Sequence, residues 1–376
     1  MKLLRFAVCL VLAAAAFAQP HHWSETEAND WHAHQPWLVG SNFIPSTASN
    51  QLEMWQAETF DPVTIDRELG WAQDLGMNTM RVFLHDLLWK DQAGFERRLN
   101  AFLHIADKHK IRPILVLFDS CWDPFPELGT QRAPRPGIHN SRWVQSPGAP
   151  ALQDPKQFGR LMSYVQDLLH DFANDKRILA WDVWNEPDNM NSGSYGNVEL
   201  KNKKELVQVM LSKVFDYARA GMPTQPLTSG VWDGGDWSDL ANLTPIQRIQ
   251  LENSDFISFH SYDKPDVFEK RILQLQKYHR PIFCTEYMAR PQGSTFQSIL
   301  PIAKKYNVAA YNWGLVTGKT QTNLPWNSWQ HPYTAGPPDV WFHDIFHEDG
   351  VPHSPEEVAF IKQITARGVK AKSAKK

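Results

Sequence analysis

Short apolar segments alternate with longer amphipathic segments along most of the chain. Eight of the apolar segments have the length and the aromatic or β-branched content of buried strands. They are residues 37–44, 77–85, 111–119, 178–186, 226–232, 255–262, 281–287 and 308–314. Because most of these segments are followed by a helical pattern, the sequence predicts repeated strand-then-helix units and a parallel sheet.

The amphipathic segments show the spaced apolar residues and the end signals of helices. Residues 64–76 close on a glycine, and residues 94–110 end in a basic turn that a helix dipole favours. The other predicted helices are residues 154–175, 203–221, 266–280, 294–307 and 354–368. The fifth unit is the weakest, because residues 239–254 contain a proline and predict only a short helix.

Eight strand-then-helix units are what a closed (β/α)8 barrel, or TIM barrel, requires, and about 250 residues suffice for one. We therefore predict an α/β fold with a single barrel domain over residues 37–367, preceded by an N-terminal arm, residues 19–36. The surplus length falls in two aromatic segments that contain Pro and Gly. These segments, residues 120–150 after strand three and 315–352 after strand eight, are predicted to be long loops.

The two ends of the chain differ from the barrel region. Lys2 and Arg5 precede an apolar run that closes with residues 16–18, which is the pattern of a signal peptide, residues 1–18, cleaved before Gln19. The protein is therefore expected to be secreted or periplasmic, with no membrane segment after signal removal. The basic tail, residues 368–376, is predicted to be disordered.

Composition limits the classes of function. Of 376 residues, 42% are hydrophobic and 21% are charged, so the chain can bury a large core. A formal net charge of −3 without a basic stripe argues against a nucleic-acid partner. After signal removal only Cys121 and Cys284 remain, too few for a disulfide scaffold, and we favour two separate core thiols over one bridge. The protein is expected to be a monomer.

Two glutamates stand where predicted strands end. In WDVWNEPD, residues 181–188, the strand pattern stops at Asn185 and Glu186, and Pro187 prevents further pairing. Glu286 ends the seventh strand in the same way. Since active sites of TIM barrels lie at the carboxyl ends of the strands, both carboxylates are expected at one pocket. Two facing carboxylates suit glycosidic-bond hydrolysis, in which one donates a proton and the other, ionised, attacks.

With these and other strand ends, the sequence resembles the clan A retaining β-glycosidases, most closely the family 5 (cellulase-like) members. Their acid/base motif, Asn-Glu-Pro, matches residues 185–187, and their nucleophile motif at the end of strand seven matches residues 285–287. The other matching residues are Arg81 on strand two, His260 and Tyr262 on strand six, and Trp313 on strand eight. The resemblance extends over roughly the whole predicted barrel.

The resemblance implies a hydrolase that retains anomeric configuration. Glu286 would attack the anomeric carbon, and Glu186 would act first as acid and then as base. Arg81 and Tyr262 would keep Glu286 ionised and oriented through charge-assisted hydrogen bonds. Asn185 would bind the 2-hydroxyl of the sugar, where hydrogen bonds strengthen in the transition state.

The resemblance also places His260 near the acid/base and the face of Trp313 against the sugar. Trp122 and His85, at or just past strand ends, are further candidates for substrate contact. Many family members place a His near the end of strand three, where this chain has Asp119. The substrate class therefore stays open among glucans, mannans and xylans. An oligo- or polysaccharide is expected as the bound partner, and no cofactor or metal is expected.

Other interpretations are weaker. A catalytically inactive carbohydrate-binding barrel would lack a carboxylate or one of its supporting residues, and none is missing. His343 and His347 are spaced four apart as metal ligands on a helix can be, but no Glu follows the first His. Five loop tryptophans could stack on sugars or pack their own loops, and packing is favoured for any single one. They are Trp122, Trp143, Trp326, Trp329 and Trp341.

Overall fold

Eight parallel strands form the inner layer of the fold in the computed structural model, which describes residues 21–366. They are β1 (Val39–Asn42), β2 (Thr79–Phe83), β3 (Arg112–Asp119), β4 (Ala180–Asn185), β5 (Leu227–Thr228), β6 (Ile257–His260), β7 (Ile282–Tyr287) and β8 (Ala309–Trp313). Their hydrogen-bonded order is β5-β4-β3-β2-β1-β8-β7-β6. Val231 closes the ring by pairing with Phe259. The predicted (β/α)8 barrel is confirmed.

Helices surround this ring. They are α1 (Glu25–Ala33), α2 (Gln51–Trp55), α3 (Pro62–Asp74), α4 (Gln92–Lys108), α5 (Ala149–Gln153), α6 (Phe158–Asp171), α7 (Lys203–Ala220), α8 (Pro245–Asn253), α9 (Pro265–Leu275), α10 (Phe296–Lys305) and α11 (Pro355–Thr365). Each strand is followed by a helix, as the repeated strand-then-helix pattern predicts. The short α8 begins with Pro245 at a position where a missing N–H costs nothing, and Thr244 and Gln247 form a capping box.

The strands are buried along their whole length because helices cover them outside and side chains fill the barrel inside. Every residue of β2, β4, β6, β7 and β8 is buried. The interior is not uniformly apolar. Arg81 of β2 and Asp182 of β4 are both 0% exposed, and this buried charge lies directly beneath the carboxyl ends of the strands.

The N-terminal arm packs against the opposite, amino-terminal end of the barrel. Helix α1 starts with a capping box between Ser24 and Glu27. Trp31 stacks on Phe256, which directly precedes β6, with ring centroids 5.9 Å apart, and on Phe283 at 6.0 Å. The predicted signal peptide and basic tail lie outside the described residues. Among residues 21–366, no helix has the length and apolar character needed to cross a membrane.

Candidate active site

A cavity of about 500 Å³ opens at the carboxyl ends of the strands, a size typical of small-molecule sites. The residues predicted from the sequence to act in catalysis or substrate binding and found lining it are Trp122, Asn185, Glu186, Tyr262, Glu286 and Trp313. Arg81 and His260 lie directly beneath these residues and contact them. The structure thus brings eight of the nine candidates together.

Glu286, in β7, receives two strong hydrogen bonds. The Nη1 of Arg81 donates to its Oε1 at 2.9 Å, and the hydroxyl of Tyr262 donates to its Oε2 at 2.7 Å. Burial raises the pKa of Glu286, while His260 and the Arg81 guanidinium act to lower it. Burial likewise raises the pKa of the Tyr262 hydroxyl far above its usual range, so this phenol stays a donor. Both contacts favour the ionised form of Glu286.

Arg81 is held rigidly, since each of its nitrogens has a partner. Its Nε and Nη2 donate to Asp182 Oδ2 at 3.1 and 2.8 Å, and Nη2 also donates to Asn185 Oδ1 at 2.7 Å. Nη1 donates to Asn42 Oδ1 at 2.9 Å as well as to Glu286. A fully buried guanidinium needs such compensation. One buried cation therefore faces two carboxylates, Asp182 and Glu286.

Glu186 directly follows β4 and has a φ of 41°, a left-handed conformation that is uncommon for a residue other than glycine. Its neighbours are neutral donors. Asn189 Nδ2 donates to Oε2 at 2.7 Å, the Cys121 thiol donates to the same oxygen at 3.2 Å, and His260 Nδ1 lies 2.8 Å from Oε1. Burial raises the pKa of Glu186, as it raises that of Glu286, but Glu186 has no charged hydrogen-bond donor of the kind that Arg81 provides to Glu286.

His260 connects the two glutamates. Burial lowers its pKa to about 4, so the ring is neutral near pH 7. Its Nδ1 lies 3.6 Å from Glu286 Oε2, in addition to its contact with Glu186. Side-chain oxygens of the two glutamates and this imidazole nitrogen all lie within 4.8 Å of one another. The carboxylates therefore face each other across a short gap.

The same three side chains are the one group of three or more potential ligands within metal-binding distance in residues 21–366. A cation there would lie close to the guanidinium of Arg81, which already donates to Glu286. The repulsion between the two positive charges opposes metal binding. His347, the other half of the spaced histidine pair, is exposed, whereas His343 is buried, so that pair does not form a joint site.

Asp119, the last residue of β3, fixes the position of Asn185. Asn185 Nδ2 donates to Asp119 Oδ1 at 2.9 Å, while Arg81 donates to the other end of the same amide. Trp143 Nε1 donates to Asp119 Oδ2 at 2.6 Å. Burial raises the pKa of Asp119 to about 6. This carboxyl at the end of strand three therefore both lines the pocket and orients the amide of the Asn-Glu-Pro motif.

The loop tryptophans divide into two groups. Trp143 and Trp341 are only 2% and 4% exposed and pack their loops, although Trp143 also borders the cavity. Trp122, Trp326 and Trp329 line the cavity, and Trp122 stacks on Trp329 with centroids 5.6 Å apart and planes 18° apart. Loop packing is thus confirmed for Trp143 and Trp341, and stacking on sugars stays a prediction for the three tryptophans Trp122, Trp326 and Trp329.

His85 is the one candidate that the structure places away from the cavity. It is 0% exposed, and its Nδ1 accepts a hydrogen bond from Leu87 N at 3.1 Å, which caps the short helical turn Asp86–Asp91. Strand β2 ends at Phe83, so residue 85 has already left the mouth of the barrel. His85 has a structural role here.

The sequence analysis did not assign several pocket residues to the site, among them Cys121, His139, Asn189 and His343. Asn189 had a usable signal, because it lies three residues after Glu186 in the turn that follows the motif. Cys121 lies two residues past the end of β3 and was considered only as a core thiol or half of a disulfide. Both cysteines are free and buried. The two histidines lie in long loops, where no periodic pattern places them.

The fold and the paired glutamates define a class, the TIM barrels with two carboxylates at the mouth. Within that class, the solved structures that match include GH5_18 from Streptomyces cattleya in complex with GlcNAc, at 14% identity and a TM-score of 0.55, covering 87% of this chain and 80% of that one. Another is the endo-1,4-β-D-mannanase from Thermotoga petrophila RKU-1, at 13% identity and a TM-score of 0.53, covering 87% of this chain and 99% of that one. A third is the family 5 mannosidase from Rhizomucor miehei, at 13% identity and a TM-score of 0.52, covering 88% of this chain and 93% of that one.

The fold is therefore that of the family 5 glycoside hydrolases, and the predicted resemblance to that family is confirmed at the level of the fold. A scan against protein-family models finds no match. A search of curated proteins finds no matching sequence either.

Proposed function

We propose that the protein is a retaining β-glycoside hydrolase that acts by double displacement. The observation that carries this proposal is the short gap between the carboxylates of Glu186 and Glu286, whose oxygens come within 4.8 Å. Retaining enzymes place their carboxyl groups about 5 Å apart so that one reaches the anomeric carbon, whereas inverting enzymes leave about 6.5–9.5 Å for a water.

The hydrogen bonds support one assignment of the two roles. Glu286 receives a charged donor, Arg81, and a phenol, so it is the carboxylate that stays ionised and attacks. Glu186 receives only neutral donors, so of the two carboxyls, whose pKa values burial raises alike, it is the one proposed to hold the proton for the leaving oxygen. After the glycosyl enzyme forms, Glu186 has lost that proton and serves as base toward water. Two interacting carboxylates thus share one proton, held on the Glu186 side.

The remaining residues have roles that follow from their contacts. Asn185, held at both ends of its amide, is positioned for the hydroxyl next to the anomeric carbon. Trp313 borders the cavity, wedged between Phe83 and Trp143 with centroids 5.6 Å from each, and supplies a fixed aromatic wall for a sugar ring. Because the structural relatives are mannosidases and mannanases, we propose β-mannosides as the substrates to test first, before glucans and xylans. The N-terminal sequence pattern supports secretion.

Replacing each glutamate tests the mechanism. With an activated aryl β-glycoside, Glu286→Ala should lose turnover, and added azide should restore it as a glycosyl azide of inverted configuration. Glu186→Ala should lose roughly 10²- to 10⁴-fold on substrates with poor leaving groups and far less on those with good ones. Rates and product configuration are measured by chromogenic assay and NMR.

Glu58→Ala is the matched control, because Glu58 is an exposed surface glutamate. It should keep the full rate. Full activity in Glu286→Ala, or equal losses on both substrate types in Glu186→Ala, would contradict the assigned roles. A wild-type protein that binds sugars without hydrolysing them would instead support the inactive carbohydrate-binding alternative.

A further inference from the structure

The long loops after β3 and β8 are hydrogen-bonded to each other across the top of the cavity. We call residues 135–143 of the first loop and 318–333 of the second the end wall. Its backbone contacts are Asn140 N donating to Thr320 O at 2.7 Å and Tyr333 N donating to Gly137 O at 2.9 Å. Side chains add further bonds: His139 N donates to Ser328 Oγ at 3.0 Å, and Trp329 Nε1 donates to His139 O at 2.8 Å.

Gln321 is the main side-chain link in the end wall. Its amide oxygen accepts from Gly137 N at 2.9 Å, and its amide nitrogen donates to Arg135 O at 2.9 Å and Ile138 O at 3.1 Å. Gly137 has a φ of 74°, and a Cβ there would come within 2.6 Å of the Tyr333 backbone. Only glycine fits so close an approach. The two loops are therefore built to touch.

The end wall continues on both sides. Toward β4, Gln330 Nε2 donates to Gly193 O at 2.6 Å. Toward β1, Lys319 N donates to Ser46 O at 3.0 Å. The cavity is thus bordered by joined loops on the side of β1, β3, β4 and β8. The partly exposed Trp232 borders its other side, above β5, and the exposed Trp326 of the end wall contacts Tyr262, which follows β6.

Two buried histidines of these loops present acceptors to the cavity that they line. His139 Nδ1 lies 2.7 Å from Leu324 O, and His343 Nδ1 lies 2.5 Å from Met288 O. Because a carbonyl only accepts, both Nδ1 atoms carry hydrogen. Burial lowers the pKa of His139 to about 4 and that of His343 further, so both rings are neutral and each Nε2 is a bare acceptor.

Placed against the oxygen through which a chain would continue, these Nε2 atoms would distinguish a chain end, where that oxygen is a free hydroxyl, from a chain interior, where it is a glycosidic oxygen. Both histidines are 1% exposed, their ring centroids lie 5.5 Å apart, and neither Nε2 has a hydrogen-bond partner among residues 21–366. A free sugar hydroxyl can donate to such a nitrogen. A glycosidic oxygen in the middle of a chain has no hydrogen to donate, and it would leave the buried acceptor unsatisfied at a cost of about 1–3 kcal/mol.

We propose that the protein removes sugars from chain ends, with the end wall stopping the chain and the Nε2 atoms of His139 and His343 accepting the hydroxyl hydrogens of the terminal sugar. This inference rests on the proposed hydrolase function. A polysaccharide bound internally would need a groove open at both ends, and the joined loops close one of them.

The first experiment separates the two proposals. Turnover of aryl β-glycosides tests hydrolysis. Turnover of β-1,4-linked oligosaccharides and polysaccharide, followed by product size and viscosity, tests the mode of action. We expect one small product from the start of the reaction and no early fall in viscosity. A ladder of long products would overturn the chain-end proposal while leaving the hydrolase proposal intact.

Binding provides a test that does not depend on turnover. In the Glu286→Gln variant, calorimetry should show an oligosaccharide with free terminal hydroxyls binding about 10- to 100-fold more tightly than the same compound with its terminal hydroxyls methylated at both ends. Equal affinities would overturn the inference even in a protein without hydrolase activity.

Histidine variants locate the effect. His139→Phe and His343→Phe keep a planar ring and remove the acceptor, so each should raise the KM for the free oligosaccharide at least about tenfold while leaving binding of the methylated one unchanged. His347→Phe makes the same substitution on an exposed histidine and should change neither. If both His139→Phe and His343→Phe unfold at the same temperature as wild type and still prefer the free oligosaccharide over the methylated one to the same degree, the proposed role of the histidines is contradicted.

Discussion

Among the residues around Glu186, Cys121 has the least conventional contact. Its thiol donates to Glu186 Oε2 at 3.2 Å, and burial together with the neighbouring carboxylates raises its pKa well above the usual range. It therefore remains a thiol. Because S–H is a weak donor, it stabilises the ionised form of Glu186 less than a hydroxyl would, which helps the carboxyl keep its proton.

Substitution of Cys121 should move the pH profile. The alkaline limb of kcat/KM reports loss of the proton from the general acid. Cys121→Ser supplies a stronger donor to the carboxylate and should move that limb to lower pH by about 0.5–1 unit. Cys121→Ala removes the donor and should move it to higher pH. Both shifts are measured on a substrate with a poor leaving group.

Cys284→Ala is the control, because the Cys284 thiol donates to the backbone oxygen of Glu286 and not to its carboxylate. Its alkaline limb should stay in place. If the alkaline limb of kcat/KM lies at the same pH in wild type and in both Cys121 variants, the thiol does not affect the pKa of the general acid.

The sequence could place a residue only where a local pattern fixed its position. Arg81 and Glu286 belong to strands and Glu186 directly follows one, and the end of a barrel strand has a known location. His139 and His343 meet because two loops touch, and that contact depends on three-dimensional closure. The Asp119 carboxyl was visible at the end of β3, but its bonds to Asn185 and Trp143 were not.

At the scale of elements, the first residue of α7 holds two loops that border the cavity in place. Lys203 is 0% exposed, and its Nζ donates to Ser120 O, Asn189 O and Glu199 Oε2, each at 2.8 Å. Asn189 in turn donates to Glu186. One buried ammonium therefore connects the loop after β3 with the loop after β4.

Removal of this cation should be costly. Lys203→Met leaves Glu199 buried without its partner, so we expect a loss of about 3–5 kcal/mol in the free energy of unfolding, measured by urea denaturation. The double variant Lys203→Met with Glu199→Gln should recover part of that loss. Lys204→Met, at the exposed neighbouring position, should change stability by less than about 0.5 kcal/mol. If Lys203→Met is as stable as wild type, Lys203 does not hold the two loops together as described.

The elements themselves were largely predictable, and β5 shows where prediction stopped. The pattern at residues 226–232 predicts a full strand, but the ladder covers only Leu227–Thr228. Beyond it, Gln250 of α8 donates to Gly230 O, and Ser229 Oγ donates to Trp184 O at 2.8 Å. Side chains thus make hydrogen bonds here that a neighbouring strand usually makes. The spacing of apolar residues in the sequence does not show which side chains will do so.

For the whole molecule, buried titratable groups act on stability in opposite directions. Burial raises the pKa of Glu68 to about 7, so the folded state holds a proton that the unfolded state has lost between pH 4.5 and 7, and stability falls across that window. Burial lowers the pKa of His260 to about 4, which makes stability rise with pH between about 4 and 6.5. The contributions of Glu68 and His260 to the pH dependence of stability therefore partly cancel.

A variant isolates one contribution. Glu68 accepts hydrogen bonds from the Ser46 backbone and hydroxyl, and Glu68→Gln keeps an acceptor that cannot ionise. Relative to wild type, its free energy of unfolding should rise by up to about 3 kcal/mol between pH 4 and pH 8. Glu58→Gln, at an exposed site, should show no such change in parallel urea titrations. If the difference in the free energy of unfolding between Glu68→Gln and wild type is the same at pH 4 and pH 8, the raised pKa of Glu68 is contradicted.

The position of α1 has a practical consequence. Trp31 seats this arm on the face of the barrel opposite the cavity, so whatever is joined to the arm emerges far from the mouth. Immobilisation on a resin, or fusion to a partner module, through this arm would leave the mouth of the cavity pointing away from the support and accessible to large ligands.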